Sequence, residues 1–81
     1  MRGDVPGVPR PDDCFLESLE VLHVLDGRKV WASADRQRLY TWDSLHGEVE
    51  VFNRRGRHLG AANAQNGELV KPAVRGRSID V

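Results

Sequence analysis

Asp43, His46 and Glu50 stand within eight residues of one another, an imidazole flanked by two carboxylates. A carboxylate takes up a proton and an imidazole tuned near neutrality gives one back, so this trio supplies both partners of general acid–base catalysis. Cleavage of RNA by its own 2′-hydroxyl needs those two roles, and a cation beside the phosphate to offset the charge that builds in the transition state. The same residue types also bind metals, but one His and two carboxylates without a second His or Cys match no zinc spacing. A charged loop beside an outward Glu is in most small domains a solvated face. Spacing alone therefore leaves the solvated and the chemical readings open.

For the trio to converge, a loop and the strand leaving it must hold it. Val49 and Val51 alternate with Glu48 and Glu50 at period two, which sends the valines to a core and both carboxylates to the opposite, exposed face. Before them, Leu39-Tyr40-Thr41-Trp42 is rich in residues that pack on a pleated surface, and the stretch from Asp43 to Gly47 breaks the run. Polar residues Ser33 to Arg36 separate that strand from Lys29-Val30-Trp31, while Asn53-Arg54-Arg55-Gly56 and Asn66-Gly67 read as hairpin turns. The fold class is α+β, mainly β: a small, highly twisted antiparallel sheet of four to five sequential strands, a meander, with a short N-terminal helix and a ragged segment from Pro72 onward.

Three parts are expected along the chain. Residues 1–11, rich in Pro and Gly, form a flexible tail. Residues 12–27 form an acidic leader, with Asp12 and Asp13 as N-caps and Phe15, Leu16, Leu19 and Leu22 on one helical stripe. Val21 to Leu25 before Asp26-Gly27 reads equally as the first strand of a hairpin. Residues 28–81 form the β domain.

Charge divides along the same lines. The formal net charge of the 81 residues is zero, yet residues 1–27 hold two Arg against six acids and residues 28–81 hold ten Lys and Arg against six acids. Arg outnumbers Lys ten to two, and its planar fork suits phosphate better than a point charge does. Arg54, Arg55 and Arg57 at a hairpin tip, with Lys71, Arg75 and Arg77 in the last segment, make a phosphate track or a merely solubilising surface. Trp31, Tyr40, Trp42 and Phe52 are candidates for stacking on unpaired bases or for the core of a domain this small. His58 is a strand surface residue or a phosphate contact, and His23, in an apolar run, a partly buried core residue. A single cysteine, Cys14, rules out an internal disulfide. No apolar run approaches the roughly 20 residues of a membrane span, so a soluble chain acting in the cytoplasm is expected.

The block Tyr40-Thr41-Trp42-Asp43-Ser44-Leu45-His46-Gly47-Glu48-Val49-Glu50 resembles the active-site stretch of the C-terminal ribonuclease domain of the ribosome-inactivating colicins and cloacin. Trp31, twelve residues before Asp43, falls where that family has a Trp. Gly56 with His58-Leu59-Gly60, then Gly67 with Lys71 and Pro72, resemble its next two hairpins, and Arg77-Ser78-Ile79 is similar to its ending. The resemblance runs from about Lys29 to Ile79. It implies a twisted antiparallel sheet that makes one metal-independent cut in 16S ribosomal RNA at the decoding site. It further implies Glu50 as general base, His46 as general acid, Asp43 orienting His46 and keeping it protonated, and Arg77 (or Arg75 in its place) stabilising the phosphate. No cofactor is implied. The partners implied are the ribosome and an acidic immunity protein or antitoxin.

Two arrangements fit such a chain: a stand-alone toxin, or a domain of a larger delivery protein that carries it into target cells. The rival reading is a non-catalytic RNA- or protein-binding β module of the same fold, with the acidic segment Asp12 to Asp26 lying over the basic face.

Overall fold

The computed structural model describes residues 7–25 and 27–80. Six strands follow one another: β1 (Glu20–Leu25), β2 (Arg28–Ala32), β3 (Arg38–Asp43), β4 (Glu48–Asn53), β5 (His58–Ala62) and β6 (Leu69–Pro72). Each pairs antiparallel with the next, so the sheet is a six-stranded meander in chain order. The four to five strands expected become six because Glu20–Leu25 and Leu69–Pro72 both pair as edge strands.

The expected N-terminal helix is a single 3₁₀ turn, Phe15–Ser18. One turn fixes several residues for few hydrogen bonds, and the apolar stripe that would reward a longer helix is divided between two surfaces instead. Phe15, Leu16 and Leu19 pack with Trp31, Tyr40, Val49 and Val51 on one face of the sheet. Leu22, already in β1, packs with Val30, Leu39 and Phe52 on the other. Leu25 pairs with Arg28, leaving two residues for the first hairpin connection; Gly27 has φ +77°, and Asp26 lies outside the described residues.

Cys14 and Leu16, both buried, seal the first face, so the acidic segment is part of the core. The expected tail is described only from Gly7, and residues 1–6 lie outside the described residues. Its last residues run against the loop between β3 and β4, where the Val8 N–H donates to the Ser44 carbonyl at 2.6 Å.

The second face carries Thr41, Asp43, Glu48 and Glu50. Register sets this directly: Thr41 lies opposite Glu50 and Asp43 opposite Glu48, while Val49 (0% exposed) and Val51 point the other way. Past β6 the chain doubles back along the β4–β5 hairpin. The His58 N–H donates to the Arg77 carbonyl, the Ile79 N–H to the Gly56 carbonyl, and Arg57 bridges Ser78. Close approach of β6 to β5 depends on Gly60, where a Cβ would stand 2.4 Å from the Lys71 carbonyl oxygen. The segment that looks ragged in sequence is thus pinned, and it brings Arg77 to the second face.

Candidate active site

The loop between β3 and β4 is shaped by Asp43. Its Oδ1 accepts from the N–H groups of Leu45 (3.0 Å) and His46 (3.2 Å), and its carbonyl accepts from the Gly47 N–H (2.8 Å). The other carboxylate oxygen, Oδ2, lies 2.8 Å from His46 Nδ1. Partial burial works against the charged form of Asp43, but hydrogen bonds from the His46 ring and from the His46 and Leu45 amides outweigh it and hold the carboxyl below its ordinary value. With Nδ1 engaged, Nε2 is the free nitrogen of a ring whose side chain is 56% exposed. Such a ring can hand a proton outward.

Glu50 is held differently. Its side chain is 13% exposed, less than the outward position in sequence suggests, because two donors close over it. Arg77 Nη1 donates to Oε1 at 2.5 Å, and His58 Nε2 lies 2.9 Å from Oε2. His58 Nδ1 accepts from the Val74 N–H at 2.9 Å, so that nitrogen carries no proton and Nε2 carries it, donating to Glu50. The His58 side chain is 1% exposed and meets the Phe52 ring edge to face at 5.3 Å.

Asp43, His46, Glu50 and Arg77 line one open cleft of about 430 Å³, together with Arg28, Thr41, Trp42 and the apolar side chains of Val30, Phe52 and Ile79. Asp43, His46, Glu50 and Arg77 therefore meet in one place. Between the two candidate arginines, it is Arg77 that reaches Glu50. Arg75 lies in an adjoining groove with Arg57. No described residue of the acidic segment lines the cleft. A site for a metal held by three or more His, Cys, Asp or Glu side chains is not found among the described residues.

Among the expected RNA contacts, Arg54, Arg55, Arg57, Lys71 and Arg75 are exposed. Lys71 Nζ pairs with Glu48 Oε1 at 2.8 Å, and that bond holds the ammonium above its ordinary value. Tyr40 does not join them: it is 8% exposed and stacks edge to face on Phe15 in the first-face core, because β3 alternation puts it opposite Thr41. His58, expected as a strand surface residue or a phosphate contact, is instead buried behind Glu50. A signal for it existed. A tight turn at Asn53–Gly56 sets His58 across from Phe52, two residues along the strand from Glu50 and on its face.

The profile of the Cytotoxic family matches residues 23–80. The chain belongs to that family. Cloacin of Escherichia coli is 40% identical over 45 residues, which cover 54% of this chain and 8% of cloacin. Colicin E3 of Escherichia coli is 38% identical over 45 residues, with the same coverage, 54% and 8%. The matched stretch is thus a small part of either relative's length. All four cleft residues, Asp43, His46, Glu50 and Arg77, fall inside the matched residues. No helix among the described residues is long and apolar enough to cross a membrane.

Proposed function

We propose that this cytotoxic domain is an endoribonuclease that cuts 16S ribosomal RNA at the decoding site and so arrests translation in the cytoplasm. The observation that carries the reading is one cleft with an acid–base pair of opposite character. An outward imidazole rests on Asp43, and a recessed carboxylate sits between His58 and Arg77.

In this reaction Glu50 accepts the proton of the ribose 2′-hydroxyl, and the freed oxygen attacks the neighbouring phosphorus. His46 Nε2–H protonates the departing 5′-oxygen, leaving a 2′,3′-cyclic phosphate and a 5′-hydroxyl. Arg77 is half exposed while bound to Glu50, so part of its guanidinium is free to meet the phosphate as charge gathers on it. Side chains supply both proton transfers and the charge offset, and the reaction as proposed uses no metal and no cofactor. Exposed Arg57 and Arg75 line the groove that adjoins the cleft, exposed Arg54 and Arg55 stand on the turn before Arg57, and Lys71 is paired with Glu48; these cations would guide the RNA backbone. An acidic immunity protein or antitoxin would be the neutralising partner, whether the domain acts alone or as part of a larger delivery protein.

Primer extension across the decoding region of ribosomes treated with the purified chain tests the reading. A single new stop is expected with wild type and none with Glu50→Gln. Intact ribosomal RNA after wild-type treatment would remove it.

A further inference from the structure

The loop that carries His46 has little to hold it in place. Leu45, at its tip, is 74% exposed, and the His46 ring also faces water. The hydrogen bonds given by Leu45, His46 and Gly47 all end on Asp43, the last residue of β3, so they tie the loop to its own root and not to anything across the cleft. Among the described residues, one hydrogen bond ties residues 44–47 to a distant part of the chain: Val8 N–H to the Ser44 carbonyl.

Val8 does more than that. Its carbonyl accepts from Trp42 Nε1 at 3.0 Å, just before the loop begins. Its side chain lies against Gly47, where the loop ends; Gly47 has φ +68°, and a Cβ there would stand 3.1 Å from Val8 Cγ1. Gly7 approaches Ser44 so closely that a Cβ on it would be 2.9 Å from the Ser44 Cβ. Two residues after Val8, Arg10 lies over the Trp31 ring at 4.9 Å and pairs with Glu17, which anchors this stretch to the first-face core.

We propose that Gly7–Arg10 is a brace for the catalytic loop, with Val8 and Trp42 as positioning residues for His46. The inference rests on the ribonuclease reading and deepens it. Asp43 closes β3 and Glu50 stands on β4, both held in the sheet, whereas His46 rides on the loop between them, so the brace sets the separation between proton donor and proton acceptor. An error of about 1 Å in such a separation is enough to cost on the order of a hundredfold in rate.

Two variants of the full chain test this. Trp42→Phe removes the indole N–H and keeps an aromatic ring; Val8→Ala removes the contact with Gly47 and leaves the core untouched. Amide hydrogen exchange at residues 45–47 is expected to speed up in both, with exchange in β4 unchanged. On decoding-site RNA, Trp42→Phe is expected to lower kcat by roughly tenfold with KM changed less than about twofold, and Val8→Ala to do the same more weakly. Unchanged loop exchange and kcat would overturn the proposal. So would faster exchange spread over β3 and β4 in both variants, because the contacts would then be merely stabilising. Wild type that cuts no RNA would remove the ribonuclease reading, while the exchange data would still report on the brace.

Discussion

The two halves of the cleft are built on different principles. The Asp43–His46 half is local: donor and acceptor lie three residues apart, the hydrogen bonds given by Leu45, His46 and Gly47 all end on Asp43, and the imidazole faces water. The Glu50 half is assembled from distance. Its carboxylate on β4 meets a histidine from β5 and an arginine 27 residues away, both recessed into the sheet or laid over it. An exposed acid is free to exchange protons with its substrate's leaving group. A recessed base stays aimed because packing, rather than a flexible loop, holds it.

Glu50→Gln and His46→Ala sharpen this contrast most. Each is expected to lower single-turnover cleavage by about 10²- to 10⁴-fold, since each removes one proton-transfer partner. They should part company in stability. His46→Ala, on an exposed ring, is expected to shift urea unfolding by no more than about 0.5 kcal/mol. Glu50→Gln turns an amide N–H toward one of two existing donors and should cost about 1–2 kcal/mol. Equal stability losses in the two variants would break the distinction between a local and an assembled half.

His58→Ala probes the assembled half from behind. It removes a buried ring, leaves the Val74 N–H without its acceptor and frees Glu50 Oε2. A loss of about 3 kcal/mol is expected from the cavity and the orphaned amide together. Cleavage should fall by roughly a hundredfold as Glu50 loses its aim. A variant that unfolds more readily yet cuts at the wild-type rate would show that His58 supports the sheet and not the base.

The same division explains what could be read from sequence. Period-two alternation placed Val49 and Val51 inside and Glu50 on the site face, and turn chemistry placed Asp43 and His46 in a loop, because those signals lie within a few residues. Tyr40 and His58 were harder. Whether an aromatic on a strand faces the core or the RNA depends on which face is covered, and here Phe15 from the leader covers the face of Tyr40. The apolar stripe of the leader spelled a helix, yet its leucines serve both faces of a sheet, a division set by the register of β1 on β2 and invisible to a periodicity count. The brace from Val8 is a contact across 36 residues between a Pro-rich stretch and a loop, with no pattern to announce it.

The smallest expected effect concerns the local half and its charge. Asp43 has its carboxyl held below the ordinary value near 3.8, so the folded state binds its proton less readily than the unfolded chain does. Its ionised form therefore adds stability that is fully present above the unfolded value and is lost as the pH falls through the folded one. Asp43→Asn should remove this contribution. Urea unfolding of wild type and variant is expected to differ at pH 6, and the difference should shrink as the pH drops below about 3.8 toward strong acid. A difference that stays constant down to strong acid would mean that the shape of the side chain, and not its charge, holds the imidazole in place.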